Sequence, residues 1–414
     1  MKRVYVFGAG SSYASSNNKE GIKNPLDKKF WNTVESLKLL KKKSSGKDSW
    51  LYRFLTQFFS EEIKVGMEDV YTFVDSFLSI LSLGDVSKNP DHLNEYDGGR
   101  PIALLKHLNE NPDLKSLVGD FIVKIKKQDS STSYKYLLFF EKIEQELIEL
   151  IYNVFVSING ESWDCKLHKD FIEKVVDKKD YNQDTIISFN YDLLLDRAFS
   201  EHGLHPNEGF SYYLWLHKLS FIENNWRDKN HDFLTLEENP FPPEDKLELL
   251  KLHGSLNWFS VNNSQTDEIE NVFYKLIGNL NDLKTDKIYR LRLINERGLV
   301  VPKRVLISPI TDKLRKIKTQ TYFEGLWRRA FEKLKDADEI VFIGYSLPPA
   351  DYLAKWLFQT SIKLNSNQKK IHLILSGKPK DDETVERYKA TLGDEVVYRE
   401  NRDFKSFVDG GLIL

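Results

Sequence analysis

The chain has 414 residues, of which 41% are hydrophobic and 13% aromatic, so it can bury a sizeable core and is not an intrinsically disordered chain. Lys and Arg number 60 against 62 Asp and Glu, and the net charge of -2 gives no global attraction to nucleic acid or an anionic membrane. We therefore expect a folded protein that does not bind nucleic acid directly, with its basic runs as solvated faces.

One cysteine, Cys165, is present in the whole sequence. A single thiol excludes an internal disulfide and a zinc site built from several cysteines, so we expect no metal and a reducing cytoplasmic location. The apolar run before Gly8 is too short for a secretory signal, and no stretch has the roughly 20 apolar residues of a membrane span. We expect a soluble protein with no membrane partner.

The first element is a short β-branched and aromatic run at residues 4–7, which predicts a buried strand that feeds a tight turn. Glycines in such a turn let backbone N–H groups approach a phosphate. The candidate phosphate-binding residues are Gly8, Ala9, Gly10, Ser11 and Ser12. Tyr13 breaks the G-x-G-x-x-G fingerprint of dehydrogenases, and no phosphate loop of the kinase-like ATPases occurs. An ordinary strand-to-helix turn stays open as the alternative.

Helical spacing of apolar residues replaces this pattern from residue 30 to residue 179, most clearly at 70–81 and 137–151. This stretch predicts a large helical lobe, inserted after the first strand. The expected domains are therefore a nucleotide-binding domain made of residues 1–29 and 180–414, and a helical lobe made of residues 30–179.

Further strands are predicted after the lobe, and residues 320–335 predict a helix that leads into one of them. The predicted strands lie at 185–189, 249–252, 305–307, 340–343 and 371–375. Residues 202–239 and 260–297 have weak periodicity and are assigned to sheet-edge insertions or loops. The predicted fold class is α/β, a doubly wound, mainly parallel Rossmann-like sheet with a large inserted helical lobe.

Polar side chains follow two of these strands, where open α/β sheets bind ligands. Asn190 could hold a water or a carboxamide beside Asp192, although both residues could instead cap the helix predicted at 193–199. His253 ends the next apolar run and can exchange a proton near neutral pH. A purely structural histidine is the alternative there.

A second glycine turn comprises Gly344, Tyr345 and Ser346, and the prolines after it keep the loop from being helical until about Asp351, a candidate helix N-cap. Two glycine turns at strand ends suggest a dinucleotide that spans them. Ser376 and Gly377 end a further strand and suit an adenosine ribose.

Taken in order, the motifs G-A-G-S-S, F-N-Y-D, L-H-G-S and G-Y-S-L-P at these positions resemble the sirtuin family, and in particular its prokaryotic branch in anti-phage defence. The resemblance implies a domain that binds NAD with its first glycine turn around the pyrophosphate. It places Asn190 and Asp192 near the nicotinamide ribose and His253 as the catalytic base. It assigns the second glycine turn, with Ser376 and Gly377, to binding of the adenosine half of NAD.

The activity that the resemblance implies is hydrolysis of NAD to nicotinamide and ADP-ribose, in abortive infection. The zinc-binding cysteines of protein-deacylating sirtuins are absent, which disfavours a deacylase. A non-catalytic scaffold that binds NAD or ADP-ribose is the other alternative. Because the chain carries no evident sensor domain, we expect a homo-oligomer with a partner, a HerA-type ATPase or, alternatively, an Argonaute-like protein.

Overall fold

The structure is a computed structural model. It describes residues 2–15, 22–40, 49–59, 65–83, 110–128, 130, 132–159, 165–176, 184–209, 213–216, 232–238, 244–261, 272–277, 291–295, 298–300, 303–306, 321–349, 351–364, 370–376, 382–393, 397–400 and 402–410.

The chain divides into two compact units. The first comprises Met1–Leu26, Phe155–Pro309 and Lys313–Leu414, and the second comprises Asp27–Val154 with Ile310–Asp312. In chain order the helices are α1 (Ala9–Ser15), a 3-10 helix (Asp27–Lys29), α2 (Phe30–Ser36), α3 (Trp50–Phe58), α4 (Met67–Leu83), α5 (Pro112–Ile125), α6 (Thr132–Asn159), α7 (Lys166–Lys174), α8 (Leu194–Glu201), α9 (Thr321–Asp336), α10 (Tyr352–Lys363), α11 (Asp382–Leu392) and α12 (Phe404–Gly410).

The first unit contains a parallel sheet of seven strands among the described residues. Its strands are β1 (Arg3–Phe7), β2 (Thr185–Ser188), β3 (Pro206–Asn207), β6 (Glu244–Lys251), β12 (Glu339–Ile343), β13 (Lys370–Ile374) and β14 (Val397–Glu400). Their order is β14-β13-β12-β1-β2-β6-β3, and every neighbouring pair is parallel. The chain leaves β1 toward β2 on one side and returns to β12 on the other, so the order of the strands reverses between β1 and β12.

Helices cover both faces of this sheet because successive side chains of a strand point to opposite faces. Val4 and Val6 of β1 lie in a buried core with apolar residues of α9, α10 and α11. Phe7, from the same strand, packs at ring-centroid distances of 5.1 Å on Phe171 of α7 and 5.7 Å on Phe404 of α12. The predicted doubly wound, mainly parallel α/β fold is confirmed.

A second sheet of seven strands, mixed in direction, also belongs to the first unit. It comprises β4 (Tyr213–Leu216), β5 (Asp232–Glu238), β7 (Gly254–Val261), β8 (Val272–Ile277), β9 (Leu291–Asn295), β10 (Gly298–Val300) and β11 (Lys303–Leu306), in the order β10-β9-β5-β4-β8-β7-β11. The chain passes from the parallel sheet into this one at the corner between β6 and β7, where Gly254 has a φ of +82°.

The second unit is helical in its described residues, and the helices predicted from spacing at 70–81 and 137–151 lie in α4 and α6. Four predicted strands and the helix at 320–335 are likewise confirmed as β2, β6, β12, β13 and α9. The strand predicted at 305–307 is present as β11, but it pairs antiparallel with β7 in the second sheet and does not join the parallel sheet. Residues 202–239 and 260–297, assigned to sheet-edge insertions or loops, contain β3 at the edge of the parallel sheet and four strands of the second sheet, β4, β5, β8 and β9.

Candidate functional site

The two glycine turns meet at the point where the strand order reverses. Gly8 follows β1 and donates its backbone N–H to the carbonyl oxygen of Ile343 in β12, at 3.1 Å. Gly10 donates to the carbonyl oxygen of Gly344 at 2.8 Å, so the two turns are joined backbone to backbone. In open α/β sheets the crevice at this reversal is the ligand-binding position.

Glycine is required at these positions by close packing of the backbones. A Cβ on Gly8 would lie 2.5 Å from the Cα of Tyr345, and one on Gly10 would lie 2.8 Å from the Cα of Gly344. Gly344 has a φ of +62°, and a Cβ there would collide with the backbone nitrogen of Ser11. No larger residue fits without moving one turn away from the other.

Three backbone N–H groups of the first turn already donate hydrogen bonds within the protein. Those of Gly8 and Gly10 donate to the carbonyl oxygens of Ile343 and Gly344, and that of Ser11 donates to the carbonyl oxygen of Gly8 at 2.9 Å. Ala9 is exposed at the tip of the turn and Gly10 is half-buried. The expected contact with a pyrophosphate through the N–H groups of Gly8, Gly10 and Ser11 therefore needs a different arrangement of the turn from the one described.

Asn190 follows β2 and is oriented through its amide nitrogen. Nδ2 donates to the carbonyl oxygen of Gly8 at 3.0 Å, to Oγ of Ser12 at 3.0 Å and to Oγ of Ser11 at 3.2 Å. Among the described residues, none donates a hydrogen bond to its Oδ1. The amide oxygen is thus the atom of Asn190 that can accept from a ligand, while the residue itself is 8% exposed.

Asp192 is buried and hydrogen-bonded at both carboxylate oxygens. Oδ2 accepts from Oγ of Ser12 at 2.5 Å, and Oδ1 accepts from the backbone N–H of Leu194 at 3.1 Å, at the start of α8. Burial raises the pKa of this carboxyl, and Lys251 and the hydrogen bond from Ser12 oppose that rise. The N-cap position of α8 is Leu193, which makes no side-chain cap hydrogen bond, so the bond from Leu194 to Asp192 closes a turn just before the helix. Asp192 also contacts the first glycine turn through Ser12.

Lys251 is an ammonium group buried at the end of β6. Its side chain has 0% exposure, and Nζ donates to the backbone oxygen of Asp192 at 2.6 Å, to Oγ of Ser255 at 2.7 Å and to Oδ2 of Asp196 at 2.8 Å. The positive charge of Lys251 thus lies near the carboxylates of Asp192 and Asp196, which lowers the free-energy cost of burying these three charged groups.

His253 lies at the corner between β6 and β7, between aromatic rings. Its ring centroid is 5.0 Å from Phe189, at an interplanar angle of 82°, and 6.0 Å from Tyr191. Nε2 is 3.6 Å from Oδ2 of Asp351, an ion-pair separation longer than a hydrogen bond. His253 is therefore neither exposed nor isolated: a buried carboxylate faces its ring.

The residues expected in the adenosine half have different surroundings. Tyr345 is 4% exposed, its ring stacks on Phe189 at 4.5 Å, and its hydroxyl donates to Oδ2 of Asp351 at 3.1 Å, so its side chain is part of the core. Ser346 is exposed, and its carbonyl oxygen accepts from Arg387 at 3.1 Å. Ser376 is exposed after β13, and Gly377 lies outside the described residues.

Two residues of this region were missed as site residues by sequence reasoning. Lys251 interrupts an apolar strand, and a lysine in such a run is seldom buried without a partner, which was a usable signal. Asp351 was expected only as an N-cap, and it does accept from the backbone N–H of Ala354 at 3.2 Å. Its approach to His253 joins distant parts of the chain, and no local pattern reports it.

The described part of the chain contains no group of three or more His, Cys, Asp and Glu side chains that could hold a metal ion. None of its helices is long and apolar enough to cross a membrane. The expectation that zinc is absent rests on the cysteine count alone.

The fold and the residues at its reversal point define a doubly wound α/β protein of the nucleotide-binding type. The sequence profile of the SIR2-like domain family matches residues 184–397, which is just over half of the 414 residues. The chain belongs to the SIR2-like family.

Comparison with solved structures finds sirtuins at low similarity. A Sir2 enzyme with a p53 peptide and NAD has 14% identity and a TM-score of 0.31, over 63% of this chain and 75% of that chain. A structure described as the basis for sirtuin substrate affinity has 14% identity and a TM-score of 0.28, over 62% and 80%. No curated protein matches the chain.

Proposed function

We propose that the chain is an NAD glycohydrolase that cleaves NAD to nicotinamide and ADP-ribose, and that Asn190 and His253 are its catalytic residues. The observation that carries the proposal is their placement. They follow the neighbouring parallel strands β2 and β6, next to the crevice between β1 and β12. Membership of the SIR2-like family supports NAD as the substrate.

The substrate would lie across the two glycine turns. The absence of side chains at Gly8, Gly10 and Gly344 lets the two turns pack together at the crevice, where Ala9 is exposed. The pyrophosphate of the dinucleotide would approach there, with the first turn rearranged to free its N–H groups. Arg387, held beside Ser346, is a guanidinium at the same end of the sheet. The nicotinamide ribose would then be placed toward Asn190 and the adenosine toward Ser346.

The bond that breaks joins C1′ of the ribose to the ring nitrogen of nicotinamide. Its electron pair goes to that nitrogen, so the cationic ring leaves as neutral nicotinamide and needs no proton from the protein. A water oxygen forms the new bond to C1′ and loses one proton. His253 takes up that proton, directly or through a ribose hydroxyl, and later returns it to the solvent.

Asn190 positions the nucleophile in this scheme. Its Nδ2 is fixed by three acceptors, so its Oδ1 is held in one orientation and can accept a hydrogen bond from the attacking water. Ser12 and Asp192 stabilise that orientation, because Oγ of Ser12 accepts from Nδ2 of Asn190 and donates to Oδ2 of Asp192. A single oriented water and a base are sufficient, so the carboxylate pair of ordinary glycosidases is not required.

The cellular role that we attach to this activity is abortive-infection defence against phage, in which hydrolysis depletes the infected cell of NAD. The ordered motifs resemble that branch of the sirtuins, and this resemblance is the support. We propose a homo-oligomer with a HerA-type ATPase as partner. Phage challenge of cells that carry wild type or His253→Ala, each with and without the ATPase gene, tests this role separately from the chemistry.

The test of the activity is nicotinamide release from NAD by the purified full chain, compared with Asn190→Ala and His253→Ala. Loss of about 10²-fold or more in kcat is expected for each, the usual size of a base or positioning contribution. Asn32→Ala and His202→Ala, in α2 and at the end of α8, are matched controls and should keep wild-type rates.

Three outcomes would redirect the proposal. NAD binding without release would favour the regulatory scaffold. Release that needs an acyl-lysine peptide would favour a deacylase. Release unaffected by His253→Ala would remove that residue from the mechanism.

A further inference from the structure

The carboxylate of Asp351 is held in a fixed position beside His253. The residue is 1% exposed at the N-terminus of α10. Oδ1 accepts from the backbone N–H of Ala354 at 3.2 Å, and Oδ2 accepts from the hydroxyl of Tyr345 at 3.1 Å. The two oxygens therefore have different partners, and the carboxylate cannot turn without breaking the helix cap.

The oxygen that faces Tyr345 is the one that faces His253. Oδ2 of Asp351 lies 3.6 Å from Nε2 of the imidazole. The ring itself is constrained by the edge-to-face contact with Phe189, which also stacks on Tyr345. Tyr345 thus supports both members of the pair, the carboxylate through its hydroxyl and the imidazole through Phe189.

We propose that Asp351 is a positioning residue for His253. Its carboxylate keeps the imidazole in the tautomer protonated at Nε2, so that Nδ1 is the atom that takes up the proton during NAD cleavage. A neutral imidazole carries one N–H, and a carboxylate at ion-pair distance from one ring nitrogen favours the tautomer with the proton on that nitrogen through electrostatic attraction. The proposal rests on the function proposed above for its catalytic consequence, but the tautomer does not depend on it.

The carboxylate also offsets the charge that the reaction creates. When Nδ1 accepts the proton from water or a ribose hydroxyl, the ring becomes an imidazolium with both nitrogens protonated. The proton at Nε2 stays there and the positive charge lies next to Asp351. Burial of both groups strengthens this attraction, because water does not screen it.

Asp351→Asn is the informative substitution, because it removes the charge and keeps the cap. The side-chain oxygen of the new amide must stay at the Oδ1 position to accept from the N–H of Ala354. Its NH₂ group then occupies the position of Oδ2 and faces Nε2 of His253. A donor there requires Nε2 to be an acceptor, so the imidazole should change to the tautomer protonated at Nδ1.

The first measurement is the ¹⁵N spectrum of the histidine rings in the full-length protein, with the signals of His253 assigned by their loss in His253→Gln. We expect an Nε2-protonated ring in the wild type and an Nδ1-protonated ring in Asp351→Asn. The same tautomer in both proteins overturns the proposal, whether or not the protein cleaves NAD.

The second measurement is the kinetics of nicotinamide release. Asp351→Asn should lower kcat by about 10²-fold or more and change KM for NAD by less than about threefold, because a histidine in the wrong tautomer cannot act as the base while substrate contacts persist. A kcat within threefold of the wild type overturns the catalytic consequence. If the wild type itself releases no nicotinamide, the proposed function fails while the spectrum still decides the tautomer.

The matched control is Asp403→Asn. Asp403 also accepts from a backbone N–H near the start of a helix, from Ser406 at 2.9 Å in α12, and is exposed. This substitution makes the same chemical change at a helix start away from His253. It should alter neither the ring spectrum of His253 nor the rate, which separates the effect of the Asp351 charge from loss of a capping carboxylate.

Discussion

Ser12 donates a hydrogen bond from Oγ to Oδ2 of Asp192 at 2.5 Å and joins the first turn of α1 to the start of α8. The same Oγ accepts from Nδ2 of Asn190 at 3.0 Å. Ser12 therefore sits between the residue that we propose to orient water and a buried carboxylate. Because Ser12 donates its hydroxyl proton to Asp192, a lone pair of its oxygen is available to accept from the amide N–H of Asn190.

Replacement of this hydroxyl tests whether it orients Asn190. Ser12→Ala should lower the free energy of unfolding by about 1–3 kcal/mol, because it leaves a buried carboxylate oxygen without this donor. It should also lower kcat for nicotinamide release by about tenfold, because Asn190 loses one of its acceptors. Denaturant unfolding and the release assay measure the two effects.

Ser36→Ala, which removes an exposed hydroxyl bonded to a backbone carbonyl in α2, should change stability by less than about 0.5 kcal/mol. Equal effects of the two substitutions would contradict the role of Ser12.

Lys251 is expected to be essential for the stability of the site. Lys251→Met should lower the free energy of unfolding by about 3–5 kcal/mol at pH 8, because it leaves Asp192 and Asp196 without their ammonium. Burial already raises the pKa of Asp192, and loss of Lys251 removes an influence that lowers it. The folded state then binds a proton at Asp192 more readily than the unfolded state, so the loss of stability should shrink as the pH falls from 8 to 5.

Chemical unfolding of wild type and variant across this pH range measures that change. Lys174→Met removes an exposed ion pair with Asp409 and should have little effect at either pH. A loss from Lys251→Met that is the same at pH 8 and pH 5 would rule out the coupling to Asp192.

Contact between the two glycine turns gives a further prediction. Gly10→Ala places a methyl group 2.8 Å from the Cα of Gly344, so one turn must move. We expect NAD to bind at least about tenfold more weakly and the free energy of unfolding to fall by about 1–3 kcal/mol.

Gly325→Ala is the control, since no atom lies within 4 Å of its added Cβ inside α9. It should leave NAD binding unchanged and raise stability by about 0.5–1 kcal/mol. Calorimetric titration with NAD and thermal unfolding distinguish the two variants, and NAD affinity that survives Gly10→Ala would argue against a ligand at this crevice.

His168 should make the fold sensitive to acid. Its Nδ1 is 2.8 Å from Oγ of Ser15, and burial lowers its pKa to about 3. The unfolded chain binds a proton at this residue near pH 6.5 and the folded chain does not, so the stability it contributes is complete above pH 6.5 and is lost as the pH falls toward 3. The slope is about 1.4 kcal/mol per pH unit, or about 2 kcal/mol between pH 6.5 and 5.

The free energy of unfolding of His168→Asn should therefore fall less steeply between pH 6.5 and 5 than that of the wild type, although the variant is less stable at pH 7. Asn32→Ala, at an exposed position in α2 that does not titrate, is the control and should keep the wild-type slope. An unchanged slope in His168→Asn would contradict the burial of a neutral imidazole.

The parallel sheet and its helices could be predicted because each of their signals is local. Residues 4–7 and 340–343 are continuous apolar runs that end in glycine, and α4 and α9 have helical spacing over several turns. The second sheet was missed because its pairing is long-range. β4 pairs with β8 and β5 with β9, both across long intervals of sequence, and the apolar run of β4, unlike those of β1 and β12, does not end in glycine.

The candidate site likewise has residues that the sequence reveals and contacts that it does not. Asn190, Asp192 and His253 follow strands, and strand ends are visible in sequence. The partners that orient them are not, because Ser12 and Asp192 are 180 residues apart and Asp351 approaches His253 only after β6 and β12 are placed in one sheet. Tyr345 was assigned to the ligand from its place in a glycine turn, and its side chain packs in the core instead.

The central claim is that this chain hydrolyses NAD, and the most direct test follows the products of NAD over time with the purified full chain by liquid chromatography and mass spectrometry. We expect nicotinamide and ADP-ribose to accumulate in equal amounts as NAD disappears, with both lost in His253→Ala. Intact NAD after prolonged incubation with saturated protein, or nicotinamide accompanied by cyclic ADP-ribose in place of the linear product, would contradict the claim.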